Sequence, residues 1–322
     1  MKMIIITGLI FLQSIFSQEI FPIEISLVGE AKDKSLEMSG LAWYEDYLIL
    51  MPQYVKKEDP FFYYLTKKDI IKWIESDQKN SLEPDKIKLQ LPNFGKQIEG
   101  FQGFEAITFY GKKAYMVIES KNSGVMKSFL VKGKLDFKNR KLVVDSKGAQ
   151  EIPIPVNIKN MGFESILKYK SRLMVLYEAN GKNVNKNPSA LLYNSSLEPK
   201  GFISFPNLEY RLTDITSLDS KNKFWVLNYF WPGEKDRLNP AKDSILKDVK
   251  EGKTHNKYEH VERLVEYEIS GDKVVRTSTP PIQLSLEKKS RNWEGLARLD
   301  DKGFIIIVDE HPRTILAFIP KS

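Results

Sequence analysis

Five residues at recurring positions could do chemistry: Ser39, Glu105, Glu164, Asp214 and Glu294, separated by 66, 59, 50 and 80 residues. Each opens a segment that turns through Asp, Gly, Asn or Lys and then runs into an apolar stretch with a polar or acidic end. If the segments belong to one repeated unit, the four carboxylates converge. Four ionised carboxylates cannot share a narrow space unpaired, so their pKa values rise or a cation neutralises them. Oxygen donors from several segments suit Ca2+, which takes six to eight oxygens. The expected metal ligands are Glu105, Glu164, Asp214, Glu294 and Asp309, and Glu105, Glu164 or Glu294 would serve as general base. The ends of the second strands add Glu119, Glu178, Asn228, Asp309 and Glu310 as polar donors. An acid at a repeated turn can equally bond backbone amides and pin one unit to the next. Arg211 and Arg291, each three residues before a key acid, would neutralise part of the set.

The elements that must hold these residues are strands. Short apolar runs separated by Gly, Asn, Asp and Pro recur along the chain, and no long amphipathic helix dominates, which predicts an all-β fold. Repeats of 50 to 80 residues fit a β-propeller of four-stranded blades. Further strands are predicted at 129–133 with 142–145, 190–193 with 202–205, and 263–269 with 274–277. The last unit, ending in 314–319, lacks a fourth strand. The stretch 23–29 (IEISLVG) lacks a partner, so placing it on the last blade closes the ring and removes the exposed edges. The count is five blades, or six if the long gap before Glu294 hides another. Residues 66–76 have helical spacing, and the polar segment 239–261 reads as an insertion carrying His255 and His260.

Residues 1–17 (MKMIIITGLIFLQSIFS) have the charged start, apolar middle and small terminal residue of a secretory signal, too short to span a bilayer. The expected organisation is this signal followed by a single propeller over 18–322, exported to the periplasm or beyond, without a membrane anchor after cleavage and monomeric. With 0 Cys, disulfides and thiol-based metal or redox sites are excluded, so core packing must stabilise the exported chain. The 49 Lys and Arg exceed the 42 Asp and Glu, giving +7, but the surplus is spread over turn tips such as Lys112-Lys113 and Lys288-Lys289. No basic stripe with interleaved aromatics points to nucleic acid.

Other chemistry is thinly represented. The sequence has no G-x-S-x-G elbow, no H-E-x-x-H and no Walker A or G-x-G-x-x-G, so zinc sites and nucleotide cofactors are not expected. The segment 230–240 (FWPGEKDRLNP) is expected to overhang the channel. Trp231 and Arg237, with Arg211, Asn228 and His311, are its candidate ligand-binding residues, and a small anionic ligand or a protein is the expected partner.

GFEAITF, GFESILKY, LTDITSL and NWEGLARL resemble the blade-opening motifs of secreted phytase-like propellers, the group with "esterase-like activity of phytase", close to the SdiA-regulated proteins. The resemblance runs from about Leu36 to the C-terminus. It implies a β-propeller, export, Ca2+ dependence and phosphoester or ester hydrolysis. Two alternatives stay open: a non-enzymatic binding propeller with a structural ion, and a calcium-activated nucleotide hydrolase.

Overall fold

The computed structural model describes residues 19–145, 148–247 and 249–321. The expected signal at 1–17 lies outside the described residues. Five four-stranded antiparallel blades follow one another. The first comprises Met38–Tyr44, Tyr47–Pro52, Phe61–Thr66 and Asp85–Gln90. The second comprises Phe101–Tyr110, Lys113–Asn122, Val125–Asp136 and Lys141–Val144. The third is built from Phe163–Tyr169, Arg172–Tyr177, Ser189–Asn194 and Pro199–Ser204. Arg211–Ile215, Lys223–Phe230, Val261–Ser270 and Lys273–Arg276 form the fourth. The fifth takes Trp293–Leu299, Gly303–Val308 and Ile315–Pro320, and its outer strand is Ile23–Ile25 from the other end of the chain.

That closure follows the sequence expectation. Ile23 pairs with Phe318 and Ile25 with Leu316, so the ring is locked by joining the chain's two ends. A second device acts at the perimeter. Outer strands of the first and second blades pair in parallel, Leu89 beside Leu142, and Ser204 pairs with Lys273 between the third and fourth. These contacts consume edges that would otherwise offer unpaired backbone groups.

Apolar residues sit between blades, where alternation along each strand points them. Leu48, Leu50, Ile305, Ile307 and Phe318 join the first and fifth blades in one buried cluster. The second and third share Tyr115, Val117, Phe163, Val175 and Tyr177. The interval before Glu294 holds no sixth blade among the described residues; it is filled by the 239–260 insertion and a two-residue strand, Ile282–Gln283, beside Val261–Ser270. The expected helix forms over Lys67–Ile74. Thr66 caps it by accepting the Asp69 amide at 3.0 Å, and it buries Ile70 and Trp73.

Candidate active site

Each inner strand carries the same irregularity near its start. Pairing with the second strand skips one residue between Met38 and Gly40, Phe104 and Ala106, Phe163 and Ser165, Leu212 and Asp214, and Trp293 and Gly295. A β-bulge re-aims the extra side chain. The bulged residues are Ser39, Glu105, Glu164, Thr213 and Glu294, and they form the first ring of the site.

The fourth blade therefore differs from the sequence expectation by one residue. Thr213, not Asp214, occupies the equivalent position. Asp214 stands where the other blades place Gly40, Ala106, Ser165 and Gly295, and it does not line the cavity. It accepts the amides of Ile215 and Leu296, both at 2.7 Å, tying the fourth blade to the fifth. The two hydroxyl positions behave alike: Ser39 Oγ donates to the Phe104 carbonyl (2.6 Å) and Thr213 Oγ1 to the Trp293 carbonyl (2.7 Å), each in the following blade. The structure thus separates pinning residues from cavity acids.

Two more rings follow from the same register. The residue two before each bulge is Glu37, Gly103, Gly162, Arg211 or Asn292. Facing them on the second strands are Gln53, Glu119, Glu178, Tyr229 and Asp309. Asn228, like Asp214, falls one position from the expected place. It is fully buried, donates to the carbonyls of Glu209 (3.0 Å) and Arg211 (2.8 Å), accepts from Arg263 Nε (2.8 Å), and so positions Arg211. Gly162 is small for a reason: a Cβ there would lie 1.7 Å from Glu119 Oε1.

The side chains of these rings, apart from the buried Thr213 and Glu178, form the floor of a cavity of about 940 Å3. Of the sequence-expected site residues, Glu105, Glu164, Glu294, Arg211, Trp231, Arg237, Asp309 and His311 line it. Reasoning from sequence passed over Glu37, Tyr54 and His260 as site residues and read Lys288-Lys289 as a solvated tip, yet all line it too. Trp231 is 51% exposed, and its ring lies against Gly233, where a Cβ would meet it at 2.4 Å. It is an aromatic platform held in place at the cavity wall. His311 projects into solvent, its amide bonded to Asp309 Oδ1 at 3.0 Å.

Arg211 organises one side of the floor. Its Nη2 meets both oxygens of Glu164 (2.8 and 3.1 Å) and Glu294 Oε1 (3.2 Å). Its Nε meets Glu178 Oε2 at 2.5 Å, and Glu234 Oε1 lies 3.7 Å from Nη1. Burial pushes Glu164 and Glu178 up, and Arg211 pulls both back. A buried guanidinium keeps its proton; Arg211 grips Glu164 through both oxygens, yet burial still holds that carboxyl well above the usual carboxylate range. Burial lifts Glu294 to about 8, with Arg211 opposing and Asp309 adding to the rise. Asn292 Nδ2 steadies Glu294 and Asp309 at 2.6 and 2.7 Å.

The other side has no such cation. Glu37, Glu105 and Glu119 enter no ion pair among the described residues. Glu105 accepts a 2.6 Å bond from Gln53 Nε2, and burial, then Glu119 and Glu294, hold it well above the usual carboxylate range. Burial and Glu178 push Glu119 to about 8, and its Oε1 is buried without a hydrogen-bond partner. Burial, reinforced by Glu310 and Asp309, raises Glu37 to about 6. Among the described residues, no three His, Asp or Glu side chains converge in an arrangement that could hold a metal ion.

No protein-family model matches the chain, and no curated protein matches it, so the phytase-like name gains no support beyond the propeller itself. Solved structures do match. One, from Parabacteroides distasonis ATCC 8503 and assigned as a glycoside hydrolase, is 10% identical over 95% of this chain and 94% of that chain, with a TM-score of 0.50. Another is from the GH130 family of mannoside phosphorylases, which contains glycoside hydrolases that target β-1,2 mannosidic linkages in Candida mannan. It is 8% identical over 96% of this chain and 98% of that chain, with a TM-score of 0.51. At these identities the likeness concerns the fold.

Proposed function

We propose that the chain is a hydrolase that cleaves a glycosidic bond with its own carboxyl groups. The observation that carries this reading is the division of the acidic floor by Arg211. Neighbouring carboxyls in unlike electrostatic settings are what acid–base hydrolysis needs. Glu105, held protonated by burial, donates a proton to the leaving-group oxygen. Glu164, the acid that Arg211 grips through both oxygens, takes a proton from the attacking water. Gln53 and Asn292 orient the floor, and Trp231 offers an apolar face on which a sugar ring can stack. Propellers of this architecture include proteins described as glycoside hydrolases, so the fold accommodates such a site. Export from the cytoplasm, expected from residues 1–17, would place the site where polymeric glycans are met.

The test is a panel of aryl glycosides of both anomeric configurations. Glu164→Gln should lower kcat by roughly 10²-fold or more, as loss of a positioned acid or base does. Glu105→Gln should fall as far on a poor leaving group and recover on 2,4-dinitrophenyl substrates, which need no proton. Absence of cleavage across the panel would overturn the reading.

A second reading retains Ca2+ and phosphoester or ester hydrolysis. It is favoured by one observation, a Glu119 oxygen without a hydrogen-bond partner on the side that Arg211 does not pair, and opposed by another, that among the described residues no three acidic side chains converge there in an arrangement that could hold a metal ion. It predicts that Ca2+ raises the melting temperature of the wild type and not of Glu105→Gln, and that EDTA abolishes turnover of phosphomonoesters, nucleotides or carboxylesters. Ca2+-independent stability together with inert esters would remove it.

A further inference from the structure

The cavity carries two opposite charges at two depths. Its floor is acidic. Its upper wall draws cations from separate segments: Lys121 at the end of a second-blade strand, Arg237 at the start of the fourth-blade insertion, and Lys288 with Lys289 on the loop entering the fifth blade, with the His260 imidazole beside them. Two of these groups have unused hydrogen-bonding capacity. Arg237 Nη2 bonds Glu234 and Nη1 donates to the Lys159 carbonyl at 3.1 Å, which leaves Nε buried and unpartnered. His260 is 5% exposed, and its Nε2 makes no hydrogen bond among the described residues, with Glu262 Oε1 4.0 Å away. Lys288 and Lys289 are exposed and enter no ion pair among the described residues.

An unused guanidinium N–H beside exposed ammonium groups fits an oxyanion. The acidic floor repels the same group, so the two layers act together. They allow an anionic ligand to enter in one orientation only, with its charge at the rim and its neutral end at Glu105 and Glu164. A volume of about 940 Å3 is at the upper end of the ~300–1,000 Å3 that encloses a ligand of a few rings.

We propose that the substrate is an anionic glycoside, in which a sugar near the cleaved bond carries a carboxylate or phosphate that binds the rim of Arg237, His260, Lys288 and Lys289. This rests on the glycosidase reading for the bond that is cut, but not for the anion site itself. The two anions are told apart by separate arms of the test.

The experiment measures binding of glucuronate, glucose 6-phosphate and glucose by calorimetry at low and high salt. It is paired with turnover of 4-nitrophenyl glucuronides and glucosides of both anomers. One of the two anions should bind at least about tenfold tighter than glucose, with the difference shrinking in high salt, where exposed charges are screened. The Lys288→Gln/Lys289→Gln double variant, checked for an unchanged melting temperature, should lose most of that preference. Equal affinity for all three sugars, or a preference that survives the double substitution, overturns the proposal. Cleavage of glucosides and glucuronides at equal kcat/KM with no binding preference would sink the anionic substrate and leave the glycosidase reading intact. Anion-selective binding without cleavage of any glycoside would do the reverse.

Discussion

The two sides of the cavity floor are built from the same ring positions, and one of them carries a buried cation. On one, Arg211 stands where the second and third blades have Gly103 and Gly162, and four glutamates gather around it. On the other, glycine occupies that position, Glu119 fills the vacated space, and Glu105 has an amide for company instead of a cation. Burial is similar on both sides. The difference shows that the backbone repeat sets where carboxyls point, while a single cation opposes the rise that burial imposes on the acids around it.

The largest effect should follow from removing that cation. Arg211→Met leaves Glu164, Glu178 and Glu294 buried without their partner, and breaking a buried ionic cluster costs about 3–5 kcal/mol. An unfolding free energy from urea denaturation lowered by less than ~1 kcal/mol would mean that the acids on this side are already neutral.

The pH dependence of stability sharpens the same contrast. Glu119 and Glu294 have folded pKa values raised from 4.5 to about 8. Each therefore favours the folded state fully below pH 4.5, and that contribution is lost as pH rises towards about 8. Denaturation midpoints at pH 5, 6.5 and 8 should fall in that order. Glu119→Gln should flatten the fall, since the amide cannot ionise. A midpoint that rises with pH across this window would contradict the assigned direction.

The smallest effect concerns the positions where the ring carries hydroxyls. Ser39→Ala removes the bond to the Phe104 carbonyl and should cost about 1 kcal/mol. Thr213→Val should cost a similar amount through the Trp293 carbonyl. Neither should alter the pH slope, because neither touches a cavity acid. A slope changed by either substitution would mean that pinning and acid positions are not separate.

Much of this was legible before the structure. The five blade openings announce themselves through a small or acidic residue and then an aliphatic one, and the unpartnered stretch at 23–29 pointed to the closure now seen at Ile23–Ile25. The position of the cavity acids in the second, third and fifth blades followed from the same motif. The fourth blade misled because Thr213-Asp214 offers two polar residues in succession, and the acid looks like the match. Aligning Ile215 with Leu41, Ile107, Ile166 and Leu296 puts Thr213 in the ring. A bulge shifts the strand by one residue, and a one-residue slip exchanges the faces, so both Asp214 and Asn228 moved out of the cavity. Lys288-Lys289 and His260 were not legible as site residues, because long-range packing decides which loop tip overhangs a channel, and no local pattern encodes it.

The central claim is that Glu105, buried with an amide and no cation beside it, is protonated at neutral pH. The most direct measurement is infrared difference spectroscopy of wild type against Glu105→Gln at pH 7, without substrate. The account predicts loss of the carbonyl band of one buried, protonated carboxyl, with the carboxylate bands unchanged. Loss of a carboxylate band instead would show that Glu105 is ionised and would contradict the account.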